Sequence, residues 1–292
     1  MIGAFDRTLL RRRFGSAAPG YAAVAKLQQE AESRLLEQVE AIASTPSVVL
    51  DVGCGPGRAT AALARRWRDA RVIGVDLALP MLRLARRARG WLRRQPVVCA
   101  DANRLPLPDA SVDLLFSSLC LQWLGDPQAA LAEFARVLRP GGTLLASTFG
   151  PGTLAELRQA WAAADDRGHV SEFVPMAALG DALLAQGFGD PVLDRDVFAL
   201  SYPDLDGLLR ELRAIGANNA RSDRPRGLAG KHGWRRMRAA YAGLVDHEGR
   251  WPASYEVIYL RALAPAPGRP RRSDGTEIAT VPISAIRRRP RP

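Results

Sequence analysis

The sequence has few cysteines, few histidines and no long apolar run. Cys54, Cys99 and Cys120 lie far apart and match no zinc or redox spacing, so we expect three buried, small apolar side chains and neither a disulfide nor a metal site. No apolar run approaches the roughly 18 residues of a membrane span, and the first residues lack the apolar core of a signal peptide. These absences predict a cytoplasmic protein that makes no membrane contact.

Acidic residues are also few, and the resulting charge of +11 is unevenly distributed. Residues 265–292 carry seven arginines and six prolines against Asp274 and Glu277, with almost no apolar periodicity. This composition predicts a disordered basic tail. The tail is either a solubilising extension or a contact for nucleic acid or another partner.

Short apolar runs alternate with helical patterns along most of the chain. Runs that are apolar on both faces and separated by helices are typical of a parallel sheet covered on both sides. The sequence therefore predicts an α/β fold with a doubly wound, mostly parallel seven-stranded sheet, its strands lying within residues 47–53, 71–76, 96–101, 111–119, 142–149, 192–202 and 256–264.

About fifty residues of helical character separate the last two predicted strands, which is too long for a hairpin loop. We therefore predict a helical insert at about 204–250, before the last strand of a main domain that spans 47–264. Residues 1–46 are predicted to form a separate helical segment in front of that domain.

The stretch VVLDVGCGPGRATAAL places Gly53, Gly55 and Gly57 at the carboxyl end of the first predicted strand. Glycine is required where φ is positive or where a ligand lies against the backbone, although a tight turn without a ligand would need it too. Asp76 ends the next strand, 19 positions after Gly57, where its carboxylate can accept hydrogen bonds from both hydroxyls of a ribose. Together these features predict a ligand that contains a nucleoside.

The spacing G-x-G-x-G, preceded by Asp51, differs from the G-x-G-x-x-G of dinucleotide sites. Asp51 would place negative charge where a pyrophosphate approaches the helix N-terminus, so it favours a ligand with a cationic head. Asp101 and Ala102 end the third strand, where an acidic side chain can accept from the exocyclic amine of adenine. A ligand with an ammonium, a ribose and an adenine, each beside an acidic side chain, matches S-adenosylmethionine.

The motifs DVGCGPG, GVD, CADA and RVLRPGG, in this order over residues 47–149, resemble those of class I S-adenosylmethionine-dependent methyltransferases. A narrower resemblance, to the malonyl-acyl-carrier-protein O-methyltransferase family of biotin synthesis, rests on RRRFGSAAPGY, LCLQW, STFGPGTLAELRQAW, HVSEF, LLRELRAIGANN and RWPASYEVIYLRAL. It implies methyl transfer to the free carboxylate of a malonyl thioester on an acyl carrier protein or coenzyme A. It also implies cofactor contacts from Leu77, Met81 and Ser117.

Three residues are candidates for catalysis. Pro19 and Gly20 interrupt a helical pattern just before Tyr21, as suits a lid over the cofactor, although the same pattern also fits simple helix packing. Gln122 follows the fourth strand and could orient the acceptor. By resemblance, His169 donates near the carboxylate or thioester; a structural histidine is the alternative.

The residues at the end of the fourth strand indicate which other methyl acceptors are possible. SSLCLQW lacks the Asn/Asp-Pro-Pro-aromatic and Pro-Cys signatures of nucleic-acid methyltransferases, so nucleic acid is disfavoured as a substrate. Another small acid or a quinone-type ring remains an alternative, as does a non-catalytic protein that binds adenosylmethionine or RNA. The insert carries ten Lys/Arg against six Asp/Glu, which fits either an acidic carrier protein or a solvated helix face.

Overall fold

The structure is a computed structural model that describes residues 5–42, 44–87, 95–217, 219–222 and 230–265. The predicted basic tail at 265–292 lies outside the described residues except for Pro265.

One seven-stranded sheet forms the centre of the described chain, with the order β3-β2-β1-β4-β5-β7-β6. Neighbouring strands run parallel, except that β7 is antiparallel to both β5 and β6. The doubly wound, mostly parallel sheet predicted from the apolar runs is therefore confirmed. The strands are β1 (Val48–Val52), β2 (Arg71–Asp76), β3 (Val97–Cys99), β4 (Val112–Ser117), β5 (Leu138–Phe149), β6 (Gly189–Tyr202) and β7 (Trp251–Leu263).

Helices cover both faces of the sheet, because successive side chains of each buried strand point in opposite directions. Leu50 packs in a core with α6 and α8, whereas Val49 packs in a core with α3, α4 and α7. The helices are α1 (Arg7–Ala17), α2 (Tyr21–Val24), α3 (Lys26–Glu37), α4 (Arg58–Arg66), α5 (Leu79–Arg87), α6 (Pro127–Val137), α7 (Ala155–Ala162), α8 (Met176–Ala185), α9 (Leu205–Ala214) and α10 (Lys231–Ala242).

The N-terminal helices and the insert between β6 and β7 lie against each other. The side chain of Asp6 caps α1 by accepting a hydrogen bond from Leu9 N at 2.9 Å. The backbone N–H of Asp6 donates to Ala220 O at 3.0 Å, and Arg13 Nη1 donates to Asn219 O at 2.7 Å. Helix α1 therefore belongs to a layer shared with the residues that follow α9.

The prediction of three buried cysteines was wrong for Cys99. Cys54 is buried and Cys120 half-buried, whereas Cys99 is exposed because it ends β3, a three-residue strand at the edge of the sheet. An edge strand has no neighbour on one side to cover its last side chain. In the described part of the chain, no helix is long and apolar enough to cross a bilayer.

Candidate active site

A pocket lies at the carboxyl ends of β1, β2 and β4, the edge at which doubly wound sheets bind ligands. Helices α1, α2 and α3 contribute residues to its opposite wall. The structure thus brings together many of the residues selected from the sequence. Those in the lining are Tyr21, Gly53, Gly55, Asp76, Leu77, Met81, Asp101, Ala102 and Gln122.

The three glycines of the first loop are required for different reasons. All have positive φ, at +75° for Gly53, +51° for Gly55 and +83° for Gly57. A Cβ on Gly53 would lie 2.7 Å from the Cβ and Sγ of Cys120, so the close approach at this position is a protein side chain. A Cβ on Gly55 would meet nothing within 4 Å, so the backbone there faces open space in the pocket. Gly57 is the N-cap residue of α4.

Asp76 is fixed by the main chain on both sides. Its Oδ2 accepts from Gly55 N at 2.9 Å and its Oδ1 accepts from Ala78 N at 2.7 Å. Burial raises the pKa of this carboxyl, while the two backbone hydrogen bonds act in the opposite direction. The carboxylate therefore lies at a fixed position beside the glycine loop, where the ribose acceptor was predicted.

Asp101 connects the sheet edge to the N-terminal helix. Its Oδ1 accepts from the backbone N–H and the Nδ2 of Asn103, at 2.9 and 3.1 Å, and its Oδ2 lies 3.4 Å from Arg7 Nε. Arg7 also donates to the carbonyls of Trp123 and Leu124, both at 3.3 Å. One arginine of α1 thus joins the predicted adenine acceptor to the loop after β4.

Tyr21 lies at the start of α2, after the short 3-10 helix Ala18–Gly20. Burial, Asp76 and Glu32, in that order, raise the pKa of the phenol far above its usual value. The hydroxyl therefore stays protonated at neutral pH and can donate a hydrogen bond. The break at Pro19 and Gly20 places this donor in the pocket lining.

The loop after β4 forms the far end of the pocket. Leu119 has a φ of +48°, and Gln122 is buried, with Nε2 donating to Leu119 O at 2.8 Å and Oε1 accepting from Thr148 Oγ1 at 3.3 Å. Burial raises the pKa of the Cys120 thiol to about 12, with Asp76 adding to the shift, so this lining thiol stays protonated. The Gln122 amide is therefore held in one orientation beside a neutral side chain.

Four of the predicted residues are not among the lining residues, and the roles of all the predicted residues stay predictions. Asp51 is 2% exposed, and its Oδ2 accepts from Thr60 Oγ1 at 2.5 Å. Ser117 donates to Val52 O at 3.1 Å within the sheet, and Gly57 is the N-cap residue of α4. His169 stacks on Trp161, with ring centroids 3.6 Å apart, and its Nε2 lies 2.8 Å from Asp165 Oδ1.

Sequence reasoning missed a number of lining residues, among them Arg7, Glu32, Arg58 and Phe149. Arg58 follows the last glycine of the loop, and Phe149 ends the fifth predicted strand, so position along the chain could have identified both. Arg7 and Glu32 lie on N-terminal helices whose contacts with the sheet edge carry no local sequence signal.

The pocket fits the predicted cofactor. Open space faces Gly55, Asp76 lies beside it, and Asp101 and the apolar side chains of Leu77 and Met81 are also in the lining. The described residues contain no group of three or more His, Cys, Asp or Glu side chains placed to hold a metal ion.

Comparison with known proteins agrees with this fold and pocket. A family model described as "Methyltransferase domain" matches residues 50–146. The crystal structure of the YcgJ protein of Bacillus subtilis has a TM-score of 0.58 at 16% identity, covering 80% of this chain and 98% of that one. Fold and pocket together define a class I S-adenosylmethionine-dependent methyltransferase.

Two curated relatives narrow this class. Proteins of Xylella fastidiosa (strain M23) and Halorhodospira halophila (strain DSM 244 / SL1), both named malonyl-[acyl-carrier protein] O-methyltransferase, are 47% and 46% identical to this chain. Each match covers 98% of this chain and 97% of the relative. The chain belongs to the malonyl-[acyl-carrier protein] O-methyltransferase family, as the motifs indicated.

Proposed function

We propose that this protein transfers the methyl group of S-adenosylmethionine to the free carboxylate of a malonyl thioester carried by an acyl carrier protein. The product is a malonyl methyl ester, the primer expected for the pimeloyl chain of biotin. The observation that carries the proposal is the near-full-length match to relatives of that name, the first at 47% identity. The pocket supports it, because most of the predicted cofactor residues are among its lining residues.

Methyl transfer to a carboxylate requires mainly that the carboxylate oxygen is aligned with the methyl group of the cofactor. Bound S-adenosylmethionine supplies an electrophilic methyl group on a sulfonium. The malonyl carboxylate is already ionised at pH 7, so its oxygen can take the methyl group while the electrons of the broken C–S bond remain on sulfur. No proton moves in this step. The protein's contribution is to orient the carboxylate oxygen and to exclude water.

Two residues of the lining suit this positioning role. Tyr21 presents a protonated hydroxyl. Gln122 uses one hydrogen of its amide nitrogen for Leu119 O, and the second has no partner among the described residues, so it can donate to the acceptor. His169 remains a third candidate, as a hydrogen-bond donor to the thioester carbonyl. Asn219 Nδ2 donates to Gly168 O at 2.7 Å and thereby joins the His169 loop to the insert.

We propose that the acidic carrier protein docks on the basic face of the insert, and that the reaction takes place in the cytoplasm, with malonyl coenzyme A as a weaker substrate. Arg213, Lys231 and Arg235 are exposed there. Other arginines of the insert are engaged within the protein, since Arg236 donates to Ala164 O and Arg238 pairs with Asp206. The exposed cations supply the charge complementarity that speeds encounter with an acidic partner.

The direct test is to incubate the purified protein with S-adenosylmethionine and malonyl carrier protein and to detect the methyl ester by mass spectrometry. Acetyl carrier protein is the matched control, because it lacks the carboxylate and should gain no methyl group. Added salt should slow the carrier reaction, since charge attraction is screened over about 8–10 Å near physiological ionic strength. Methylation of a different small acid or ring, without the malonyl ester, would contradict the proposal.

A further inference from the structure

Five charged side chains line the pocket, and two of them have no role in the function proposed above. Asp76 and Asp101 are the predicted ribose and adenine acceptors, and Arg7 pairs with Asp101. The remaining two are Glu32 of α3 and Arg58, the first residue of α4. These two form an ion pair, with Oε1 of Glu32 2.5 Å from Nη1 of Arg58.

The pair is built into the wall of the pocket. Arg58 also donates to Gln29 O at 3.2 Å and to Ser33 Oγ at 2.7 Å, so its guanidinium is held against α3. The side chain of Glu32 is only 17% exposed, and its second oxygen, Oε2, has no hydrogen-bond partner among the described residues. Burial raises the pKa of this carboxyl, and hydrogen bonding to Arg58 acts in the opposite direction. One oxygen of a mostly buried carboxylate is thus left without a protein partner at the pocket wall.

The pair lies near Tyr21 and next to the glycine loop in the pocket lining. Glu32 and Asp76 both raise the pKa of the Tyr21 phenol, so both carboxyl groups lie on the side of the pocket that holds Tyr21. Arg58 directly follows the glycine loop, whose open backbone is at Gly55. Asp51, which the sequence suggested for the ammonium, instead bonds Thr60 and is not part of the lining.

An amino-acid head group carries one ammonium and one carboxylate, which is the charge pattern complementary to an ion pair. We infer that Glu32 and Arg58 together recognise the amino-acid end of the cofactor, Glu32 Oε2 accepting from the ammonium and Arg58 contacting the carboxylate. Both carboxylate and guanidinium then form charge-assisted hydrogen bonds with a group of the opposite sign. The inference rests on the cofactor assignment and is independent of which acceptor is methylated.

The test compares two ligands that differ in that end alone. S-adenosylhomocysteine carries the amino-acid group, whereas 5′-methylthioadenosine has the same adenosine and thioether without it. Calorimetry would measure the Kd of both for the wild-type protein and for Glu32→Gln, which keeps the side-chain shape and an oxygen for Arg58. Glu30→Gln is the matched control, because Glu30 lies on the same helix, is 52% exposed and pairs with Arg34.

We expect Glu32→Gln to weaken S-adenosylhomocysteine binding at least about tenfold, as loss of one charged hydrogen bond requires, and to change 5′-methylthioadenosine binding less than about twofold. Glu30→Gln should change neither. Equal weakening of both ligands would show that Glu32 acts only through the fold. No change in either would show that the pair merely joins α3 to α4. Either of these two results would overturn the inference, and neither bears on the acceptor.

Discussion

The pocket has two sides that are held together in different ways. Its floor consists of residues 53–56, 75–77 and 100–102 at the strand ends, and its roof consists of residues of α1 to α3 with Ile215 and Ala217. In the floor, Asp76 accepts from the main chain of Gly55 and Ala78, a few ångströms away. The roof is joined to its surroundings by long side chains such as Arg7 and Arg13. Floor geometry thus follows from the sheet, whereas roof geometry depends on contacts between residues far apart in the sequence.

The largest effect should come from filling the floor. Gly53→Ala would bring a Cβ within 2.7 Å of Cys120, and its φ of +75° is unfavourable for alanine. Overpacking and left-handed strain together should lower the free energy of unfolding by roughly 2–5 kcal/mol, measured by urea denaturation. Gly55→Ala is the control, because it meets open space and adds only the conformational cost. Equal destabilisation by the two changes would contradict this account of the loop.

A smaller effect is expected from removing the carboxylate of Asp76 in the floor. Asp76→Ala should weaken S-adenosylhomocysteine binding by about 1.5–3 kcal/mol, or roughly 10- to 100-fold, because a ribose would lose a charged acceptor. Calorimetry would measure the loss, and Asp69→Ala, at an exposed carboxylate outside the lining, should have no effect. Unchanged affinity in Asp76→Ala would remove the ribose assignment.

The smallest effect is expected from removing the ion pair between Arg7 of the roof and Asp101 of the floor. Arg7 and Asp101 each have side chains 32% exposed, so their ion pair should contribute less than about 1 kcal/mol. Arg7→Gln should therefore raise the KM for S-adenosylmethionine about two- to fivefold while the unfolding midpoint changes little. Arg11→Gln, an exposed position on the same helix, is the control in steady-state kinetics. A loss larger than that of Asp76→Ala would reverse the ranking of floor and roof.

Most of the fold could be predicted because its signals are local. Each predicted strand overlaps an observed one, since a strand buried on both faces appears in the sequence as a continuous apolar run. The exposure of Cys99 could not be predicted in this way, because it depends on which strand lies at the edge of the sheet. Strand order is a property of the whole chain.

The site was predictable where position along a strand determines it. Asp76 ends β2 and Asp101 follows β3. Because the carboxyl ends of these parallel strands lie at one edge of the sheet, the positions of the two residues in the sequence indicated that they share a site. Asp51 lies within β1, where alternation decides which way a side chain points, and here it points to Thr60. Glu32 was missed because only the packing of α3 on α4 brings it to the pocket.

The position of β7 has a consequence for how the protein is made. This strand, Trp251–Leu263, lies between β5 and β6, although it is the last of the described strands to be synthesised. While the ribosome is still translating the insert, β5 has one unpaired edge and β6 has no partner at all. Such edges can pair with other chains, so the nascent protein is most prone to aggregation in this interval. Synthesis of the final described strand closes both edges at once.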